Sequence, residues 1–201
     1  YVACWIAMLF VSGVGLGYFA GTGAVVLAVL PVVWSHLDTY MRDRIANFLD
    51  PARDPGAYYN VQQALISIGS GGLFGKGFAT GTQSQLHFLR VRHTDFIFSV
   101  ICEELGFVGA VLILGVFALL LWRMLRIAAN ADDVTGRLIV TGVIAFIFYP
   151  LLVNLGMNLN VLPVAGLPMP FISSGGSALV VTYIGLGLVQ SVAMRQGRLE
   201  F

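Results

Sequence analysis

The first 37 residues contain no aspartate, glutamate, lysine or arginine, and three more long apolar runs follow along the chain. Over the whole sequence 58% of residues are hydrophobic and 10% are charged, whereas soluble domains carry about 25% charged residues. A membrane-spanning helix needs about 20 apolar residues. The sequence therefore predicts an all-α, polytopic membrane helical bundle with about five spans. The predicted spans, the first of them truncated, are residues 1–11, 20–36, 95–122, 138–157 and 177–194.

The first apolar run is too long for one span and too short for two complete ones. Its cluster of glycines between residues 13 and 23 predicts the break between two helices. A second interpretation is that Gly13, Gly17 and Gly21, at four-residue spacing, form a face for close helix packing. The run starts at Tyr1 without a basic region or a cleavage site, so it is not typical of a signal peptide. We expect a fragment whose upstream helices are missing.

A long polar segment separates the second and third predicted spans. Apolar residues recur at helical spacing in Tyr40–Leu49 and in Tyr58–Ile68, which predicts two amphipathic helices lying along a membrane surface. The glycine-rich stretch Gly69–Gly81 is typical of turns. Connections of this length are usually functional or disordered, and the two patterned helices argue against disorder.

The positions of the arginines predict which side of the membrane each loop occupies. Arg123, Arg126 and Arg137 flank one short loop, while Arg195 and Arg198 follow the last span. Cytoplasmic loops are enriched in such residues. Helix parity then places the loops 38–94 and 158–176 together on the outer face, where they would form the two sides of one site.

Asp95 occupies the most informative position in the sequence. Thr94 is a plausible N-cap, so Asp95 would open the next helix. From Asp95 to Trp122 a helix rises about 40 Å, compared with a hydrocarbon core of about 30 Å, which puts Asp95 at the outer head groups. Ser99, Glu103 and Gly106 follow on nearly the same helix face. A carboxylate there indicates a functional site; the alternative is an aspartate that merely stabilises the helix dipole.

Several other functions are not supported by the residues. The segment Gly69–Gly77 lacks the spacing of a phosphate-binding P-loop, although Lys76 among glycine amides remains a candidate for a lipid phosphate. The spacing of His87, His93 and Asp95 matches no common zinc pattern, so we expect no metal ligands there. The net charge of +1 comes with no basic run, which argues against nucleic acid as a partner.

Several motifs, in a consistent order, cover almost the whole chain. They are Phe48-Leu49-Asp50-Pro51, Ile68–Gly77, Gly81–Leu86, His93–Phe98, Glu103–Gly106 and Pro163–Ser177. With these motifs the sequence resembles the shape, elongation, division and sporulation (SEDS) family of cell-wall polymerases, whose members include RodA and FtsW. Gly81–Gln85 and Gly156-Met157-Asn158 are more similar to the elongation member RodA. The chain would correspond to the C-terminal half of a ten-helix fold.

The resemblance implies a peptidoglycan glycosyltransferase that polymerises lipid II, a disaccharide-pentapeptide on undecaprenyl pyrophosphate. The protein would be a multi-pass protein of the bacterial cytoplasmic membrane, in contact with membrane lipid and with its site facing outside. Its expected protein partner is a class B penicillin-binding protein. The resemblance implies no organic cofactor and allows a divalent cation, Mg²⁺ or Mn²⁺, against the pyrophosphate charge.

The resemblance also suggests the site residues. Asp95 matches the proposed catalytic residue of the family and would act as general base on the acceptor sugar hydroxyl. The expected substrate-binding residues are Arg42, Arg44, Lys76, His93, Thr94, Glu103, Ser173 and Ser174. The sequence departs from the family at Arg90 and Val91, where Pro-Glu is usual, and at Ser174, where tyrosine is common.

Two other functions compete with polymerisation. A flippase or transporter of lipid-linked precursors would also use carboxylates within the membrane and helices broken by proline. A non-catalytic membrane scaffold of the cell-wall machinery would bind a partner through the amphipathic loop. Glu103 at mid-depth favours transport, whereas Asp95 at the rim favours chemistry at the surface.

Overall fold

A computed structural model describes residues 2–13, 15–36, 38–50, 53–78, 80 and 95–196. These residues form helices and loops and contain no strand, as the sequence predicts. The helices are α1 (Val2–Val11), α2 (Leu16–His36), α3 (Thr39–Leu49), α4 (Pro55–Ser70), α5 (Ile97–Ala129), α6 (Val134–Asn158) and α7 (Gly176–Gln196).

Three of these helices, α5, α6 and α7, are long and apolar enough to cross a membrane, while α1 and the segment Gly17–Val33 of α2 are shorter apolar helices. The chain is thus a multi-pass helical membrane protein. Helix α5 starts at Ile97, two residues later than predicted, and continues to Ala129. Near its C-terminus the guanidinium of Arg126 lies 4.0 Å from the ring centroid of Trp122, a cation–π contact.

The break in the first apolar run lies at Gly13, whose φ of 71° favours glycine. The alternative interpretation, a glycine packing face, finds no packing partner among the described residues. No atom lies within 4 Å of a Cβ built on Gly13, Gly17 or Gly21. The two amphipathic helices predicted in the polar segment are confirmed as α3 and α4.

Helices α5, α6 and α7 form the centre of the bundle, with α1 packed against α6 and α4 against α5. One apolar core joins Met124, Val140, Ile147 and Val189 from the three central helices. The Gln196 amide at the end of α7 donates a hydrogen bond of 2.7 Å to the carbonyl of Ile127 near the end of α5. The basic residues of both helix ends therefore lie at the same end of the bundle, called here the basic end.

Helix α5 is broken at Gly106, where φ is 70° and ψ is −170°. A glycine loop, residues 71–77, closes the break with four backbone hydrogen bonds. The N–H groups of Lys76 and Gly77 donate to the carbonyls of Glu103 (2.9 Å) and Glu104 (3.1 Å). Beyond the break, the N–H groups of Phe107 and Val108 donate to the carbonyls of Gly72 (2.9 Å) and Leu73 (3.1 Å).

The close approach of the two segments depends on glycine. A Cβ on Gly71 would clash with the carbonyl oxygen of Cys102, and one on Gly75 with that of Glu104. The stretch Gly69–Gly81, predicted as turns, starts differently from the prediction, because α4 continues through Ser70 and the turns begin at Gly71. Gly69 lies inside α4, and the following glycines pack against a long apolar helix. The break separates a short half-helix, residues 97–105, from the rest of α5.

Replacing Gly106 with alanine should destabilise the protein. The new side chain would meet the backbone of Leu73, Phe74 and Gly75, and the backbone conformation is nearly exclusive to glycine, at about 1–3 kcal/mol. We expect a fall in melting temperature for Gly106→Ala. The matched control is Gly115→Ala in the same helix, where nothing lies within 4 Å, and which should keep or raise the melting temperature. Equal melting temperatures for both variants would contradict this packing.

Candidate active site at the end of the bundle

A cavity of about 370 Å³ lies at the end of the bundle away from the basic end. Its walls come from α3, α4, the start of α5 and the loop after α6. Its polar lining contains three carboxylates, three amides, one phenol and one guanidinium. These residues are Asp43, Asp54, Asp95, Asn47, Asn60, Asn160, Tyr58 and Arg44. The amides, the phenol and the carboxylates can bond to the hydroxyls of a sugar-like ligand, and the guanidinium of Arg44 can contact an anionic group.

Asp95 is half-buried and lies two residues before α5. Its carbonyl accepts hydrogen bonds of 3.1 Å from the side-chain amides of both Asn154 and Asn158. In a regular helix that carbonyl would accept from the N–H of Ser99, which instead donates to Oδ1 of Asn158 at 3.2 Å. Asn158 thus replaces the first ladder bond of α5, which explains why the helix begins later than predicted.

The rest of this network is buried, which fixes its geometry. Asn154, Asn158 and Ser99 have no exposed surface. The Ser99 hydroxyl donates to Oδ1 of Asn158 at 2.8 Å, and the Asn154 amide donates to the carbonyl of Leu167 at 2.8 Å. Buried amides with all these partners tie the start of α5 and the loop after α6 to one point on α6.

The side chain of Arg44, on α3, contacts the loop after α6 at the same cavity. Its Nη1 donates to the carbonyl of Val164 at 3.1 Å. Gly166 lies between the two charged groups, because a Cβ built there would be 3.4 Å from Nη1 of Arg44 and 3.7 Å from Oδ2 of Asp95. The guanidinium and the carboxylate therefore converge at the cavity wall, and Gly166, with a φ of 66°, leaves the space between them open.

The proline-rich loop that forms this wall is held by aromatic contacts with α5 and α7 and by a hydrogen bond within the loop. Phe171, with a φ of 62°, lies with its ring 6.1 Å from that of Phe117 and 5.7 Å from that of Tyr183. The Ser173 hydroxyl accepts a hydrogen bond of 2.8 Å from the N–H of Met169. The loop is therefore the stiff wall that its prolines predict.

The structure brings some of the predicted site residues together and separates others. Asp95 and Arg44 line the cavity. Arg42 lies on a neighbouring cavity and donates to the carbonyl of Ser35 at 2.7 Å. Lys76 and Glu103 lie together at the helix break, with Nζ and Oε1 3.2 Å apart.

The remaining predicted residues do not line the cavity in the described part of the chain. Ser173 is buried within its own loop, and Ser174 is exposed beside it. His93 and Thr94 lie outside the described residues, as do the departures Arg90 and Val91. Within the described ranges no group of three or more histidine, cysteine or acidic side chains is arranged to hold a metal ion.

Sequence reasoning missed most of the cavity wall. The residues Asn47, Asn60, Asn160, Asp43 and Asp54 belong to helices and a turn that look like ordinary polar surface. Only Asn160 could have been noticed in the sequence. It lies two residues after α6 and has a φ of 55°, a left-handed conformation that asparagine adopts more readily than most residues. The contacts of Asn154 and Asn158 with the carbonyl of Asp95 were not predicted from the sequence.

The fold and this site define a class, a multi-pass helical membrane protein with a polar cavity at one end of its bundle. A family model described as "Cell cycle protein", covering FtsW, RodA and SpoVE, matches residues 1–198. The chain belongs to this family.

The chain is similar to the peptidoglycan glycosyltransferase MrdB of Escherichia coli K12, with 46% identity over 187 residues, 92% of this chain and 50% of that protein. It is 37% identical to stage V sporulation protein E of Bacillus subtilis over 194 residues, 96% of this chain and 52% of that protein. The chain thus spans about half the length of the curated relatives it matches.

Two solved structures resemble the chain. One, from work on the structural coordination of polymerization and crosslinking by a peptidoglycan synthase complex, has a TM-score of 0.73 and 34% identity, and the match covers 98% of this chain and 55% of that one. The other is a mutant of the rod shape determining protein RodA of Thermus thermophilus, with a TM-score of 0.52, 44% identity and coverage of 66% and 40%.

The network around Asn158 leads to a prediction on stability. Asn158→Leu keeps the side-chain volume and leaves the N–H of Ser99 without its buried acceptor, which costs about 1–3 kcal/mol. We expect a lower melting temperature, measured by thermal unfolding in detergent. The control is Asn130→Leu at the exposed end of α5, which should leave the melting temperature within a degree or two. A stable Asn158→Leu protein would show that the network does not hold α5.

Proposed function

We propose that the full-length protein is a peptidoglycan glycosyltransferase that extends glycan strands from lipid II, and that this chain carries its catalytic cavity. The names of the relatives support this, since MrdB is named as a peptidoglycan glycosyltransferase. The convergence of Asp95 and Arg44 at one cavity is the observation that carries the proposal. A glycosyl transfer from a lipid pyrophosphate needs a base for the incoming hydroxyl and positive charge for the leaving group.

In the proposed reaction Asp95 takes the proton from the acceptor sugar hydroxyl. The hydroxyl oxygen forms a bond to the anomeric carbon of the donor sugar as the bond from that carbon to the pyrophosphate oxygen breaks. The pyrophosphate leaves with the electron pair, and the guanidinium of Arg44 stabilises its charge. Neither group crosses the cavity during the step, because the Asn154 and Asn158 amides hold the backbone at Asp95 and the Val164 carbonyl holds Arg44.

The other polar residues of the cavity have proposed roles in binding. The amides of Asn47, Asn60 and Asn160 can both donate to and accept from sugar hydroxyls. The phenol ring of Tyr58 offers an apolar face and a hydroxyl to the same ligand. These four residues line the same cavity as Asp95 and Arg44 and would position the sugars beside the two charged groups.

The membrane orientation of the protein and its protein partner are proposed as well. The arginines at the basic end favour a cytoplasmic location for that end, so the cavity would open on the outer face of the bacterial cytoplasmic membrane. A partner that crosslinks glycan strands, a class B penicillin-binding protein, agrees with the solved complex that couples polymerization and crosslinking. Arg44 would supply positive charge where the pyrophosphate leaves, and a divalent cation bound there would add to it.

The break in α5 bears on the transporter alternative. Transporters use broken helices whose free ends bind ions or substrate. Here the carbonyls of Glu103 and Glu104 and the N–H groups of Phe107 and Val108 are bonded to the glycine loop. These four helix-end groups are therefore occupied by the protein itself, which favours a structural role for the break.

Replacing Asp95 with asparagine in the full-length protein tests the proposal. The variant keeps the size of the side chain and loses its basicity. We expect polymerisation of lipid II to fall by about 10²–10⁴-fold, the usual contribution of acid–base catalysis. The measurement is the rate of glycan formation by purified protein with its partner. Asp95→Glu should recover little, because a displacement of about 1 Å can cost about 10²-fold.

The control for Asp95→Asn is Asp132→Asn at the basic end, which should polymerise at the parental rate. Membrane insertion, melting temperature and partner binding of both variants should match the parent. If Asp95→Asn polymerises at close to the parental rate, Asp95 is not the base. If the parent itself forms no glycan from lipid II, the proposed activity is wrong.

A further inference from the structure

We propose that Lys76 and Glu103 are positioning residues that set the place of Asp95 through the short half-helix. The inference rests on the proposed function and concerns groups that the proposed reaction does not use. Neither residue lines the cavity. Glu103 follows Asp95 by eight residues, which is about 12 Å along a helix, so it cannot touch the group that Asp95 deprotonates.

The break at Gly106 makes such positioning necessary. A continuous helix would fix Asp95 relative to the long part of α5, but here the hydrogen-bond ladder stops after residue 105. The position of the short half-helix is set by what holds its two ends. At the cavity end it is held by Asn154 and Asn158, through the carbonyl of Asp95.

The glycine loop holds the other end. Lys76 and Gly77 donate to the last carbonyls of the half-helix, from Glu103 and Glu104. The side chains add a charged contact at the same point, 3.2 Å from Nζ of Lys76 to Oε1 of Glu103. Lys76 therefore bonds to Glu103 through both its backbone and its side chain. Two contacts between the same residues restrict sliding of the half-helix along the loop as well as rotation about its own axis.

Burial makes the charged contact sensitive to change. The side chain of Glu103 has no exposed surface, and that of Lys76 is 31% exposed. A buried carboxylate that loses its cation is strongly unfavourable, whereas removing both charges together is far better tolerated. Buried ion pairs are weak sources of stability, and their best-attested role is to select one arrangement. Here the ion pair would select the packing of the half-helix against the glycine loop.

The test is a double-mutant cycle in the full-length protein with its partner, using Lys76→Met, Glu103→Gln and the combination. We expect each single variant to lower kcat for lipid II polymerisation by about 10–100-fold, because a misplaced catalytic group costs that much per ångström. KM should stay within about threefold, since substrate contacts are unchanged. The combined variant should lose less than the product of the two single losses. Glu104→Gln, the adjacent carboxylate, is the matched control and should keep the parental kcat.

Three results would overturn the proposal. A raised KM with parental kcat for Lys76→Met would mean that Lys76 binds substrate directly. A lowered melting temperature with parental kcat per folded molecule would mean a purely structural pair. Independent effects that multiply in the combined variant would mean that the two residues do not act together.

A milder pair of variants keeps the test decisive if Lys76→Met or Glu103→Gln does not fold. Glu103→Asp retains the charge and withdraws it by about 1 Å, so kcat should fall with KM unchanged, while Glu104→Asp should not change it. Parental kcat for Glu103→Asp would contradict positioning. If the parent does not polymerise lipid II, the proposed function fails instead, and the two failures are thereby distinguished.

Discussion

Every backbone N–H and carbonyl inside a membrane needs a partner within the protein, and this requirement governs the break at Gly106. An open break in a spanning helix leaves several polar groups without water or neighbours, at several kcal/mol each. The glycine loop supplies the missing partners through four hydrogen bonds. Gly71, Gly75 and Gly106 allow the two backbones to approach closely enough to form them. The break is therefore a packed contact between two segments of the chain, residues 71–77 and 103–108, called here the joint.

The arrangement of the cavity follows from this joint. The short half-helix can take a position of its own, and the asparagines of α6 then hold its start by taking over the first ladder bond. Asp95 is placed by these two attachments at the point where Arg44 and the loop after α6 also meet. A side chain on a rigid, short and doubly anchored segment is well suited to chemistry, because small displacements are costly in rate.

The sequence was sufficient for the parts that depend on local pattern. The apolar runs predicted the helices, the periodic residues predicted α3 and α4, and the arginines predicted which helix ends lie together. The location of Asp95 at the end of the bundle opposite the arginines was expected from helix length. These features are set by residues close in the chain, so a single sequence contains them.

The parts that escaped prediction depend on pairing between distant residues. Gly69–Gly81 looked like a surface turn because the sequence does not show that Gly106, 25 residues beyond the end of this stretch, breaks a helix and packs against it. Lys76 looked like a phosphate ligand for the same reason, since its contact with Glu103 requires the joint. The hydrogen bond from the Ser99 N–H to Asn158, which takes the place of a ladder bond of α5, could not be predicted from residue spacing.

The central claim is that the cavity holds the reacting sugars between Asp95 and Arg44. The most direct measurement is a cryo-electron microscopy structure of the full-length Asp95→Asn variant with its partner and lipid II. We predict the acceptor hydroxyl within about 3 Å of the side chain at position 95, and the donor pyrophosphate against the guanidinium of Arg44. Lipid II bound at the glycine loop, or along a path through the bundle with both groups uncontacted, would contradict the account.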